Sequence, residues 1–193
     1  MPHLKHQRFQ LYIAHNSPSY FTMRSMKKLL TLLLPLLLTG CVSANNAASE
    51  FSGNDLMFAA MMVPHHEQAI EMSEMALAKS TNPEVIELAT EIKNAQSPEI
   101  AEMKSWGDLT MGSHMGHSMD GMLSDDEMAA LNSASGDEFD RLFLEGMIKH
   151  HEGAIEMAEM VVDSQNTRAS ALGKEIIETQ RLEIARMKEL LKK

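Results

Sequence analysis

Among 193 residues the chain has one cysteine, one tryptophan, two tyrosines and six phenylalanines. A single thiol excludes a disulfide within one chain, so the folded domain has to be held together by its core. Runs of β-branched residues and strand-like alternation are missing too, which excludes a sheet protein. Basic residues are outnumbered, 17 against 27 acidic ones, and this imbalance argues against nucleic acid or an anionic bilayer surface as a partner. The apolar stretch from Leu29 to Leu38 is shorter than the roughly 20 residues that span a bilayer. It follows Arg24, Lys27 and Lys28 and precedes small residues, which is the layout of a secretory signal peptide.

That segment ends in "LTGC", Leu38 to Cys41, and resembles the lipobox of bacterial lipoproteins, whose cysteine is lipidated and becomes the N-terminus after cleavage. Residues 1–22 are therefore expected to be an upstream extension outside the mature protein, with translation starting at Met23 or Met26. Residues 23–41 form the signal peptide and 42–53 a short tether. The expected location is the periplasm or outer cell envelope, with an anchor at Cys41, or secretion if "LTG" is an ordinary cleavage neighbourhood. Removing residues 1–41 takes away five of the 17 basic residues and none of the 27 acidic ones, leaving a charge of −15. Six histidines remain, His65, His66, His114, His117, His150 and His151.

Four of those histidines, His65, His66, His150 and His151, sit in an internal repeat. At an offset of 85, Asp55, Phe58, Met62, His65, His66, Ala69, Ile70, Glu71, Met72 and Met75 recur as Asp140, Phe143, Met147, His150, His151, Ala154, Ile155, Glu156, Met157 and Met160. At an offset of 84, Gln96, Glu99, Ile100 and Met103 recur as Gln180, Glu183, Ile184 and Met187. Each copy has the apolar spacing of two helices. Capping signals place helices near 54–80, 83–106, 136–164 and 167–191, with a short one near 125–132. Ser52 is the expected first cap; Thr81, with Pro83 and Glu84 behind it, the second; Ser135 the third; and Asn166 or Thr167 the fourth. Pro98 is expected to kink the second helix. The expected fold is all-α: a four-helix bundle made of two repeated hairpins, 54–106 and 136–193, joined by a linker over 107–135.

On a helix advancing about 100° per residue, Met72, Met61, Ala69 and Met62 lie within about 60° of His65. The second copy repeats this with His150, Met157, Ala154 and Met147. Thioether sulfur and neutral imidazole together suit a soft ion, copper(I) or silver(I), whereas calcium or magnesium would need carboxylates. Methionine also resists the oxidative crosslinking that thiolates suffer outside the cytoplasm. The plainer reading is a core filled with methionine, and Met103, Met128 and Met187 fit it. Gln96, Glu99, Gln180 and Glu183 are duplicated polar positions on the partner helices; support of the histidine rings and a structural or solvent-facing role both stay open.

Between the hairpins lies "MGSHMGHSMDGM", carrying Met111, His114, Met115, His117, Met119 and Met122. It is too glycine-rich for a stable helix and too polar to pack a core. A tract rich in histidine and methionine favours metal capture; the bland alternative is a flexible spacer.

The doubled "HHEQAIEMSEM" and "HHEGAIEMAEM", each preceded by Asp-x-x-Phe and followed by "Q..EI..M", resemble domain-of-unknown-function family 305 with its CopM-like copper-binding members. The resemblance spans residues 54–191. It implies a ferritin-like four-helix bundle, exported, with a role in copper or silver binding and tolerance. By that resemblance the motif positions are Met62, His65, His66 and Met72, then Met147, His150, His151 and Met157; Met75 and Met160 extend each copy.

The expected function is thus binding of copper(I), with silver(I) or copper(II) as further ligands, in order to sequester the ion or relay it to a copper-export or copper-delivery protein. The alternatives are an envelope interaction module with a methionine core and no metal, and a copper-dependent oxidase. A di-iron oxidase is disfavoured, because Met62 and Met147 stand where Glu-x-x-His would need glutamates. Replacing Met111, Met115, Met119 and Met122 with leucine is expected to lower copper(I) stoichiometry without unfolding the domain. Unchanged stoichiometry in a chelator competition would remove the linker from the binding set.

Overall fold

Where the chain places its caps decides its helices. The structure is a computed structural model that describes residues 50–110 and 119–193. The expected signal peptide, Cys41, Met111, His114, Met115 and His117 lie outside the described residues. The helices are α1 (Gly53–Lys79), α2 (Pro83–Lys104), α3 (Asp125–Ser133), α4 (Gly136–Ala158) and α5 (Thr167–Leu190). Among the described residues there is no strand.

Ser52 starts α1 with a reciprocal cap: its hydroxyl accepts from the Asp55 N–H while the Asp55 carboxylate accepts from the Ser52 N–H at 2.8 Å. Asn82, not Thr81, caps α2, its side-chain oxygen accepting from the Glu84 N–H at 3.0 Å. The residue directly before the N1 proline is the one whose short side chain reaches the free N–H groups. Asn166 does the same for α5, while Ser135 precedes α4 without a side-chain cap bond. Instead of running to 164, α4 ends at Ala158. Met160 and Val161 donate only three residues back, to Met157 and Ala158, so the helix tightens into turns. Close approach of α5 accompanies this, since a Cβ on Gly173 would lie 2.7 Å from a Val161 methyl. Pro98 does not end α2, which continues to Lys104 with one backbone bond fewer.

The helices form two antiparallel hairpins joined face to face through α1 and α4, a ferritin-like four-helix bundle. One apolar cluster joins Phe58, Met62 and Val63 of α1 to Ile100 and Met103 of α2, Ala154 and Met157 of α4, and Leu172 and Ile176 of α5. A second joins Ala69, Met72 and Ala76 of α1 to Leu88 and Ile92 of α2, Phe139, Phe143 and Met147 of α4, and Ile184 and Met187 of α5. Methionine is thus core filler in part, as at Met103 and Met187, with Met128 packed on the edge. The two clusters are not continuous. Between them, on all four helices, lie buried polar residues: His65 and His66, Gln96, His150 and His151, and Gln180.

The end of the long linker is docked, unlike the unpacked tract that its polarity suggests. Met119, Gly121 and Met122 are half-buried and Leu123 is buried. Gln68 clasps this strap from α1, accepting from the Leu123 N–H at 2.8 Å and donating to its carbonyl at 3.0 Å. From α4, Gly153 makes room for it: a Cβ there would stand 2.0 Å from the Asp120 carbonyl oxygen. Gly121 itself has φ +87° and could not carry a Cβ without meeting the Lys149 carbonyl at 2.7 Å. Both contacts are with backbone, which cannot step aside as a side-chain tip would. Gly153→Ala is therefore expected to cost about 1–3 kcal/mol in denaturant unfolding, while Glu67→Ala on the outer face of α1 stays within about 0.5 kcal/mol.

Candidate metal centre

Adjacent histidines on a helix point about 100° apart, so each pair serves two interfaces. His65 and His150 face each other where α1 meets α4, with ring centroids 3.7 Å apart and planes inclined by 40°. His66 turns toward α2 and His151 toward α5. All four side chains are fully buried.

In every ring Nε2 faces an acceptor. His150 Nε2 lies 2.9 Å from the His65 carbonyl oxygen and His65 Nε2 lies 3.2 Å from that of Asp120. His66 Nε2 is 2.8 Å from Glu99 Oε2 and His151 Nε2 is 2.7 Å from Glu183 Oε2. Since carbonyls and carboxylates only accept, Nε2 carries the proton in each neutral ring and donates it. The Nδ1 lone pair is then the free one. All four Nδ1 atoms are buried without a hydrogen-bond partner, although an unsatisfied buried polar group costs about 1–3 kcal/mol. A carboxylate on the far nitrogen of an imidazole fixes the tautomer and raises the basicity of the ligating nitrogen, which is how metal-bound histidines are commonly held.

Electrostatics keep His65 and His150 neutral. Burial, and then repulsion from His66, hold His65 down at about 3, against the help of the Asp120 carbonyl. Burial and the neighbouring His65, His151 and His66 push His150 well below its ordinary value. Neutral imidazole is the form that binds metal, so protons compete weakly at these two rings. Among the described residues no group of three or more His, Cys, Asp and Glu side chains converges on a common point. A hard-ion cage is thus not built here. The donors suit a soft monovalent ion, which accepts few ligands of nitrogen or thioether type.

The thioethers flank the imidazole layer along the bundle. Met62 and Met157 lie on one side of the imidazole layer, in the first apolar cluster, and Met72 and Met147 on the other, in the second. Met75 and Met160 are half-buried at the cluster edges. Glu99 and Glu183 contact the rings, whereas the amides of Gln96 and Gln180 are buried with neither nitrogen nor oxygen bonded. The sequence reading left out Gln68, Asp120 and Gly153, which hold the strap against His65. Breaks in the repeat signal two of them, because Gln68 aligns with Gly153.

The family model for a domain of unknown function, DUF305, matches residues 55–191. The chain belongs to DUF305. A DUF305 protein from Streptomyces coelicolor is 31% identical, with a TM-score of 0.65 over 72% of this chain and 91% of its own. CopM in a Cu(II)-bound form is 38% identical, with a TM-score of 0.60 over 70% of this chain and 94% of that one. In its Cu(I)-bound form the figures are 36%, 0.59, 72% and 95%. No curated protein matches the chain. These structures share the bundle, and among the described residues of this chain no helix is long and apolar enough to cross a membrane.

The neutral rings set a pH dependence of stability. A histidine that stays neutral in the fold but titrates near 6.5 when unfolded leaves stability intact above that pH. As the pH falls from 6.5 toward 3 the unfolded chain takes up the proton and the fold does not, so stability drops by about 1.4 kcal/mol per pH unit for each such ring. Denaturant midpoints of the metal-free protein at pH 7 and pH 4.5 should show this loss, and a flat profile would mean that His65 and His150 protonate freely in the fold.

Proposed function

We propose that this DUF305 protein binds monovalent soft metal ions, copper(I) or silver(I), at its buried histidine layer. The carrying observation is the set of four buried imidazoles whose Nε2 protons are engaged and whose Nδ1 lone pairs have no partner. A core built only for stability would not keep four such atoms, together with the unbonded amides of Gln96 and Gln180, at its centre. This observation favours metal handling over an interaction module with an inert methionine core. CopM supports the reading, being similar over most of its length and solved in Cu(I)-, Cu(II)- and silver-bound forms.

In this reading His65, His66, His150 and His151 are the nitrogen donors. Glu99 and Glu183 orient His66 and His151. Met62, Met72, Met147 and Met157 form the soft wall on either side, and Met75 and Met160 extend it. The linker residues Met111, His114, Met115, His117, Met119 and Met122 supply weaker capture. The protein works outside the cytoplasm, anchored through Cys41, where it sequesters the ion or relays it to an export or delivery protein.

The test is competition for copper(I) against a chromogenic chelator under reducing conditions, for the native protein and for a variant with His65, His66, His150 and His151 changed to alanine, its fold checked by circular dichroism. The native protein is expected to take copper(I) from the chelator and the folded variant to lose at least tenfold in affinity. Failure of the native protein to compete would return the methionines to plain packing. Replacing Glu99 and Glu183 with glutamine should weaken affinity by roughly tenfold or more while leaving stoichiometry intact, as loss of a ring-orienting partner does.

A further inference from the structure

The strap that covers His65 forms one wall of a cleft that the histidine site does not use. A cavity of about 220 Å³ opens to solvent between α1, α4 and the start of the strap, and Met61, Met119, Met157 and Met160 all line it, beside Asp120, Gly153 and Glu156. Four thioethers from three separate segments meet at one cleft. Met61, Met119 and Met160 are half-buried, and only Met157 belongs to the core. Its polar lining is acidic, with the Glu156 and Asp120 carboxylates on a chain of net charge −10. Asp120 is shared between the two places: it borders the cleft, and its carbonyl oxygen accepts from His65.

The duplication shows that this cleft is not a by-product of the repeat. Met157 and Met160 correspond to Met72 and Met75, but Met61 corresponds to Gly146, and Met119 has no counterpart. At the equivalent place on the other face, a Cβ on Gly146 would lie 3.0 Å from a Leu123 methyl and 3.3 Å from the Met72 methyl. The groove there is lined by Leu123, Leu131, Leu142 and charged side chains, with no methionine. One half of the pseudo-symmetric pair is thus a groove bordered by Leu123 and α3, while the other gains two methionines.

We propose that Met61, Met119, Met157 and Met160 form a second, outer binding site for a monovalent soft cation, made of thioethers and separated from the buried imidazoles by the Asp120–Gly121 strap. Thioethers carry no proton to displace and no charge. The site therefore binds without titrating, and the nearby carboxylates draw the cation in. Met157 and Met160 also belong to the wall of the proposed histidine site, whereas Met61 and Met119 line the cleft without being part of that wall, so these two report on the outer site.

The test labels methionine ε-methyl carbons and histidine ring nitrogens in the full-length protein and titrates it with silver nitrate, silver(I) being inert to redox under these conditions. The expected result is that the Met61, Met119, Met157 and Met160 methyl signals shift together. Silver stoichiometry should fall by one equivalent in M61L/M119L, which leaves the imidazoles and every thioether of the histidine site's wall in place. If the Met61 and Met119 methyl signals stay fixed while the Nδ1 signals move, the outer site is overturned and the histidine reading stands. If the methyls move and the ring nitrogens do not, the outer site stands and the histidine reading fails. Should M61L/M119L not fold, the Met61 and Met119 methyl shifts of the native protein decide the matter alone.

Discussion

Everything in this bundle is arranged around a layer of four imidazoles buried where water cannot reach them. A helical bundle of this size would be more stable with leucine at these positions, since each lone pair left without a partner costs free energy that apolar side chains would not. The two apolar clusters on either side supply the burial that tolerates such a layer. The Glu99 and Glu183 carboxylates and two main-chain carbonyls remove half of its cost by accepting all four Nε2 protons. What is left over is four Nδ1 lone pairs of one kind, which suit a soft ion.

Duplication explains how such a layer can be assembled. Antiparallel packing of α1 against α4 brings His65 of one copy against His150 of the other and puts the methionines of each copy in opposite clusters. Met62 joins Met157, and Met72 joins Met147. A single hairpin would present only half of the donors. Where the copies differ, at Gln68 against Gly153 and at Met61 against Gly146, the linker strap makes its contacts. Symmetry builds the layer, and its breakage covers one side and leaves a methionine cleft on the other.

Much of this was legible beforehand. Periodicity and caps marked the helices, with errors confined to their ends: Asn82 rather than Thr81 starts α2, and α4 stops at Ala158 because Met160 and Val161 fall into three-residue turns. The histidine pairs stood out because they recur. The helical projection grouped the thioethers around one helix, and it could not say that Met62 and Met72 pack in separate clusters on either side of the imidazole layer. Met119 and Met122 were read as part of an unpacked tract because their flanking glycines and serines look mobile; in fact Gly121 and Gly153 are small so that two backbones can touch.

The sequence alone determined the helical class, the doubled hairpin and the residue types available to a soft ion, because spacing along one chain suffices for periodicity, caps and repeats. Only the tertiary structure decided which nitrogen of each histidine is engaged, that Gln96 and Gln180 stay unbonded, and that Met61 meets Met160 at a cleft floored by Gly153. Those facts depend on how separate helices approach one another across a core. That approach is governed by shape and burial among residues far apart in the chain, and no local pattern records it.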